Sequence, residues 1–288
     1  MRVTFLAIAL FAPALAGCAS PSPDGSDPTD TLGAAFAVAC DSRFPDPCVI
    51  DAGPNDSPSQ TEVELAVNPT DPKNVFVASK DLDPLASDAA CVWSVGQVTK
   101  DAGATWTTVY VGGTHQERQD PTHPLYGWNC VTDPIFEFDD EGVLYYAMQA
   151  CCRTLGGERI ETPVRASRGT TFAYYLAISR DGGETFPRED IRLLTPETTQ
   201  AWLHDYPRGA VSPRTGAVMF AWTEFHDFPV VSPPMVSETQ YWPFVAVVRD
   251  AGRSVATSSI QGPDHPQRNY FFTGLVAGPD GAFHAALV

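Results

Sequence analysis

The amino-acid sequence predicts an all-β protein built from four-stranded sheets arranged as the blades of a propeller. Three observations support this prediction. A short turn motif occurs in two nearly complete copies, and a hairpin pattern recurs about every 70 residues. The composition is rich in turn-forming and aromatic residues, with 26 Pro, 22 Gly, 16 Phe, 9 Tyr and 6 Trp. No long stretch shows the 3.6-residue periodicity of an amphipathic helix.

The turn motif reads Ser/Thr-x-Asp-x-Gly-x-Thr-aromatic. Its first copy contains Asp101, Gly103 and Trp106, its second contains Asp181, Gly183 and Phe186, and a weaker third keeps Asp250 and Gly252. Average composition gives one complete match in roughly one chain per thousand. An Asp side chain accepts hydrogen bonds from its own turn, and Gly permits the positive φ that a tight turn needs. The pattern therefore predicts structural roles for these Asp residues, and not catalysis.

An inner hairpin precedes each copy of the turn motif. Each hairpin is a short strand, a polar turn and a second apolar strand that ends near an aligned alanine. These alanines are Ala78, Ala147, Ala221 and Ala286. An inner hairpin followed by a turn-motif hairpin makes one four-stranded blade, and repeated blades close radially with few exposed edges. The chain is expected to supply about three and a half blades.

The two patterns together resemble the Asp-box, or BNR, repeats of the sialidase-like β-propellers. The resemblance covers about residues 59–288 and implies a six-bladed propeller. Six blades would need about 420 residues, so the resemblance implies a propeller that is incomplete at its C-terminus, at Val288. A four-bladed ring, in which residues 34–50 complete the last blade, is the alternative.

The N-terminus predicts export and a lipid anchor. Met1-Arg2 precedes an apolar run from Val3 to Leu15, which is too short to span a bilayer and is typical of a signal peptide. The residues at the end of this apolar run, Leu15-Ala16-Gly17-Cys18, resemble a lipobox. The resemblance implies removal of residues 1–17 and lipidation of Cys18. An ordinary signal with an unrelated Cys is the alternative. Residues 18–58 are expected to tether the propeller to the outer membrane or cell surface.

Net charge indicates which classes of binding partner are excluded, and the number of cysteines indicates disulfide bonds. The formal net charge of −17 argues against nucleic acid and anionic lipid surfaces, so membrane contact is expected through the lipid anchor only. After Cys18, six cysteines remain: Cys40, Cys48, Cys91, Cys130, Cys151 and Cys152. An even number in an exported protein predicts disulfides but leaves their pairing open. No metal or cofactor motif is present, so neither kind of site is expected.

The candidate ligand site lies where the inner strands begin. Glu62, Asp133 and Asp205 precede the inner strands of three repeats, and Asn269 stands at roughly the corresponding place in the fourth. Equivalent positions of successive blades converge toward the axis of a propeller. These carboxylates, with Arg208 as a nearby donor, are therefore expected to form a ligand-facing mouth. Three unrelated strand caps are the alternative.

The resemblance to sialidases suggests an activity that the residues only partly match. That family binds the sialic acid carboxylate with three Arg residues, the first of them in a Phe/Tyr-Arg-Ile-Pro motif, and uses a Tyr/Glu nucleophile pair with an Asp acid/base. The corresponding stretch here, residues 60–64, contains no Arg. We therefore expect a protein that binds extracellular ligands, with glycans favoured, and identify no catalytic residue. A glycoside hydrolase of the exo-sialidase type and a protein-interaction scaffold are the alternatives.

Overall fold

The computed structural model describes residues 60–81, 93–155, 158–159, 172–195, 201–229, 237–260 and 272–288. The predicted signal peptide and the whole predicted tether, including Cys18, lie outside the described residues. The described part contains fifteen strands, one helical turn at His115–Arg118 and one 3-10 turn at Arg188–Asp190. Within these ranges, no helix has the length and apolar character needed to cross a membrane.

The strands form four antiparallel sheets in chain order, which we call blades 1 to 4. Blade 1 contains β1 (Gln60–Val67), β2 (Val75–Asp81), β3 (Trp93–Thr99) and β4 (Thr107–Tyr110). Blade 2 contains β5 (Trp128–Phe138), β6 (Leu144–Leu155), β8 (Phe172–Ser179) and β9 (Ile191–Leu193), and the short β7 (Glu158–Arg159) pairs with β6. Blade 3 contains β10 (Ala201–Val211), β11 (Val218–Pro229), β12 (Ser237–Arg249) and β13 (Ser254–Ser259). Blade 4 contains β14 (Phe272–Ala277) and β15 (Phe283–Leu287). The predicted all-β architecture of four-stranded propeller blades is confirmed.

Successive side chains of a strand face opposite neighbours, and this alternation builds a core between each pair of blades. Tyr146 packs between blades 1 and 2 with Phe76 and Phe136. The adjacent Tyr145 packs between blades 2 and 3 with Trp222. A third core of the same kind lies between blades 3 and 4. Each buried aromatic contributes about 1.5–3 kcal/mol through apolar area removed from water, so the blades stabilise one another.

The two complete Asp boxes form the turns between the third and fourth strands of blades 1 and 2. Asp181 accepts a hydrogen bond from the Thr185 N–H at 2.9 Å and another from the Thr185 hydroxyl at 2.5 Å. Asp101 accepts the same pair of bonds from Thr105, at 2.9 and 2.7 Å. Each Asp thus ties the end of its turn to the beginning.

The third copy of the motif makes its turn differently. Val248 stands where the complete boxes have a hydroxyl, and Asp250 and Gly252 both have positive φ, at 54° and 86°. The turn is closed by backbone bonds from Gly252 N–H to the Arg249 carbonyl at 3.0 Å and from Arg253 N–H to the Asp250 carbonyl at 3.2 Å. This copy therefore keeps the shape of the turn with less help from side chains.

The boxes also connect neighbouring blades. Gly183 has a φ of +100°, and a Cβ added there would lie 2.5 Å from the Phe76 ring of blade 1. Asn74 donates from Nδ2 to the Gly182 carbonyl at 2.9 Å, which joins the first inner hairpin to the second box. Gly252 approaches Ile178 of blade 2 in the same way. The glycine of each later box therefore permits close contact with the preceding blade.

Two of the six cysteines are cross-strand partners. Cys130 of β5 pairs in register with Cys151 of β6, and Cys152 follows directly. Cys40, Cys48 and Cys91 lie outside the described residues. The disulfide pairing stays a prediction.

Candidate functional site

The inner strand of every blade is irregular. The irregularity lies near the start of the strand in blades 1 and 4 but at its middle in blades 2 and 3, so Asp133 and Asp205 lie within their strands and not before them as expected. The pairing shifts between Thr61 and Glu64 in β1, Thr132 and Ile135 in β5, Asp205 and Arg208 in β10, and Phe272 and Gly274 in β14. Glu62 and Asp133 lie in two of these bulges with φ values of +55° and +51°. Such backbone costs about 1–3 kcal/mol per residue and is concentrated at functional sites. Bulges also redirect side chains, here those of Glu62 and Asp133.

The redirected side chains of Glu62 and Asp133 meet. The two carboxyl groups share a hydrogen bond, although Asp133 has only 8% of its side chain exposed and Glu62 has 47%. Lys80, which follows the apolar part of β2, places Nζ 3.2 Å from Glu62 Oε1 and 3.7 Å from Asp133 Oδ1. Thr132 donates from Oγ1 to Asp133 Oδ1 at 2.8 Å. An acidic pair spanning blades 1 and 2 is therefore held by one ammonium and one hydroxyl group.

The two carboxyl groups differ in protonation. Burial raises the pKa of Asp133 to about 8, and the hydrogen bond and negative charge of Glu62 act in the same direction. For Glu62, partial burial alone would raise the pKa, but the hydrogen bond with Asp133 and the charge of Lys80 bring it below its ordinary range. Near neutral pH, Asp133 is therefore the proton donor and Glu62 the ionised acceptor of the pair.

Further carboxylates surround the same region. The pKa of the Tyr174 hydroxyl lies well above its usual value because the group is buried and because Asp133, Asp205, Glu224 and Glu62 are negatively charged nearby. The three carboxylates expected from the sequence thus act on one buried hydroxyl, together with a fourth. Electrostatically, this end of the blades is acidic.

An aromatic stack lies beneath the acidic region. The ring of Tyr174 stacks on Trp222 with centroids 4.7 Å apart, and Trp222 stacks on Phe244 at 6.0 Å. Trp222 is fully buried. These rings form a rigid wall between blades 2 and 3.

The strand register shows that Asp205 is not at the position equivalent to Glu62 and Asp133; it lies one residue before it. Glu64, Ile135, Arg208 and Gly274 pair with the four aligned alanines. Counting back from them places Tyr206, and not Asp205, at the position of Glu62 and Asp133. Asp205 precedes this position and pairs with Thr223. Pro207 follows Tyr206 as Pro134 follows Asp133, which was the sequence signal for the correct alignment. Asn269 lies outside the described residues.

Arg208 lies close to Glu64 of the neighbouring region. Its positive charge lowers the pKa of Glu64, which burial raises, and its Nε donates to the Thr273 carbonyl at 3.5 Å. Glu137 lies in the same central region, where burial and the charge of Glu64 raise its pKa to about 7. The cation that contacts the acidic pair is instead Lys80.

Lys80, Tyr174 and Glu224 were not among the residues selected from the sequence. Lys80 had a signal, because the second residue after each of the first three aligned alanines is polar: Lys80, Gln149 and Thr223. Tyr174 had none, since it belongs to the apolar strand β8 and resembles any core aromatic residue. In the described part of the chain, no group of three or more His, Cys, Asp or Glu side chains is arranged to hold a metal ion.

Comparison with known proteins gives structural similarity without a family assignment. No protein-family model matches the chain, and no curated protein matches it. Similar solved structures include a Hadza microbial sialidase, with 13% identity over 78% of this chain and a TM-score of 0.48. A protein of unknown function from Dyadobacter fermentans has 14% identity over 79% and a TM-score of 0.46. An α-L-arabinofuranosidase of Fusarium graminearum has 15% identity over 75% and a TM-score of 0.40.

All three structures are larger than this chain. The similar part covers 40% of the sialidase, 61% of the Dyadobacter protein and 52% of the arabinofuranosidase.

Proposed function

We propose that the protein is an exported, lipid-anchored propeller that binds extracellular glycans at the Glu62–Asp133 pair. The observation that supports this proposal is the pairing of two carboxyl groups around the same Lys80 ammonium, with the Thr132 hydroxyl bonded to one of them. One carboxyl group accepts hydrogen bonds and the other donates. The ammonium and hydroxyl groups add donors, which gives the convergent polar contacts that sugar hydroxyls require.

The geometry favours binding over hydrolysis of a glycosidic bond. Glycosidases place their two carboxyl groups about 5–5.5 Å apart when they retain configuration and about 6.5–9.5 Å apart when they invert it. Glu62 and Asp133 share a hydrogen bond directly, so they are closer than either arrangement requires. The surrounding carboxylates also repel an anionic sugar, which disfavours the exo-sialidase alternative. The other alternative, a protein-interaction scaffold, does not explain why two acidic residues adopt strained backbone conformations.

Glu62→Gln is expected to weaken glycan binding about tenfold or more, because it removes the ionised acceptor of the pair. The change is tolerable for folding, since 47% of the Glu62 side chain is exposed. Binding is measured first on a glycan array and then by titration calorimetry with the retained glycan. Glu141→Gln, in the exposed turn of blade 2, is the matched control and should bind normally.

Two results would count against this site. If the Glu62→Gln and wild-type proteins bind the glycan with equal affinity, the glycan binds elsewhere. If the wild-type protein binds no glycan on the array, the proposed function is wrong. Release of sugar from a fluorogenic sialoside, above a heat-inactivated control, would favour the hydrolase alternative.

The lipid anchor is proposed from the lipobox at residues 15–18. Cells fed an alkyne-tagged fatty acid should label the wild-type protein, and Cys18→Ser should abolish the label because the acylated thiol is gone. Cys40→Ser is the control for loss of an unrelated cysteine and should remain labelled. Full labelling of the Cys18→Ser protein would refute the anchor.

A further inference from the structure

Two cysteine positions lie directly opposite each other in the inner hairpin of blade 2. Cys130 of β5 and Cys151 of β6 are register partners, and the next pair, Val131 with Ala150, continues the same register. The ladder is therefore regular at this point, with the ordinary spacing of antiparallel strands. Cys151 is 7% exposed, and its sulfur belongs to a disulfide. The partner of Cys151 is therefore one of the other cysteines.

The backbone geometry selects Cys130 as this partner. Opposite residues of an antiparallel pair lie on the same face of the sheet, with Cα atoms about 4.5 or 5.5 Å apart, and a disulfide needs about 4.4–6.8 Å. Adjacent residues are only about 3.8 Å apart across a trans peptide bond, and their positions in a strand face opposite sides of the sheet. A bond from Cys151 to Cys152 would therefore require distortion of β6, whereas a bond to Cys130 requires none.

We propose that Cys130 and Cys151 form a disulfide that clamps the inner hairpin of blade 2 beside the acidic pair. The two thiols lose two electrons and two protons as the sulfur–sulfur bond forms. The oxidant is a second disulfide, of an oxidoreductase or of glutathione, which is reduced to two thiols by thiol–disulfide exchange. In the cell this reaction needs an oxidising compartment, so the inference rests on the export that we propose.

The position of this bond explains what it holds in place. Pairing of β5 with β6 is interrupted between Thr132 and Ile135, and Asp133 has a φ of +51° in this interruption. Cys130 lies three residues before Asp133, on the side of the bulge away from the hairpin turn. A covalent link there keeps the two strands together beyond the bulge. It therefore prevents Thr132 and Asp133 from relaxing their strained backbone by fraying of the strand end.

Peptide mapping of the unreduced protein tests the pairing. The full chain carrying Cys18→Ser, so that no lipid is attached, is folded in a mixture of reduced and oxidised glutathione, which makes the result independent of export and of glycan binding. Free thiols are alkylated, and a protease that cuts after acidic residues separates the two cysteines at Glu137 and Glu141. The mass of two joined fragments is expected, with fragment ions that place the bond at Cys130 and Cys151.

Matched variants distinguish the two adjacent cysteines. Cys152→Ser should keep the joined fragments, and Cys151→Ser should release them. Joined fragments that persist in the Cys151→Ser protein would overturn the proposal, because Cys152 would then carry the bond. A bond from Cys151 to any cysteine other than Cys130, or alkylation of both Cys130 and Cys151 in the wild-type protein, would overturn it as well.

A double variant tests whether the bond clamps the hairpin. Cys130→Ser combined with Cys151→Ser removes both sulfurs, so no unpaired thiol is left to exchange. The bond closes a loop of about 20 residues, and its loss should lower the melting temperature by about 5–10 °C. Hydrogen exchange of the amides at residues 131–133 should become faster, while exchange in β11 of blade 3 stays unchanged. An unchanged melting temperature, or unchanged exchange at residues 131–133, would show that the hairpin is not clamped there.

Discussion

Gly183→Ala is expected to lower the free energy of unfolding by about 2–6 kcal/mol. Two costs add at this position. The φ of +100° strains any residue with a Cβ, and the new methyl group would lie 2.5 Å from the Phe76 ring and 3.3 Å from Leu144. Phe76 is fully buried and in edge contact with Phe136 at 5.1 Å, so its ring has little room to retreat. Urea unfolding followed by fluorescence measures the loss.

Gly216→Ala is the matched control for this substitution. Gly216 also has positive φ, at +62°, but the nearest atom to its added Cβ is Asp140 Oδ1 at 3.3 Å, on a flexible surface side chain. This variant carries backbone strain with little overpacking and should lose about 1 kcal/mol. Equal losses in the two variants would show that the Asp-box glycine serves its turn only, and that it does not matter for contact between blades.

Asp133→Asn is expected to remove a large pH dependence of stability. The unfolded Asp has a pKa of about 3.9, whereas burial raises the folded pKa of Asp133 to about 8. Between these values the folded state holds more protons, so the free energy of unfolding falls as the pH rises. The loss is complete above about pH 8 and amounts to about 3–5 kcal/mol. Asn cannot ionise, yet its amide still donates to Glu62.

Urea unfolding at a series of pH values from about 5 to about 9 tests this linkage. The wild-type protein should lose stability steadily over the interval, and the Asp133→Asn protein should lose much less and be the more stable at the alkaline end. Asp71→Asn, which alters an exposed carboxylate, should follow the wild-type curve. Parallel curves for wild-type and Asp133→Asn proteins would mean that Asp133 ionises normally.

The local parts of the fold were predictable from the sequence because they depend on nearby residues. The inner hairpins follow from alternating strands around polar turns, and the aligned alanines give the correct pairing of β1 with β2 and of its later counterparts. The turns at Asp101 and Asp181 follow from side chains that bond to their own backbone. From these features the sequence predicted four-stranded blades and their order.

The site was only partly predictable because it depends on contacts between blades. Glu62 and Asp133 were expected to converge, but the raised pKa of Asp133 depends on burial at the boundary of blades 1 and 2, which no local pattern encodes. Lys80 reaches this pair from β2, and Tyr174 approaches from the third strand of its blade. Arg208 was expected beside Asp205 from proximity in sequence, and its charge near Glu64 depends on the packing of blades that the sequence does not show.

Carbon-13 NMR of the side-chain carboxyl groups tests the central claim most directly. Protein labelled at the Asp and Glu carboxyl carbons is titrated with base, and Asp133→Asn identifies the Asp133 resonance. The pair should contribute one carboxyl that titrates with a pKa of about 8, and a bound glycan should shift that resonance. A resonance for Asp133 that titrates in the ordinary acidic range and ignores a glycan the protein binds would contradict the account.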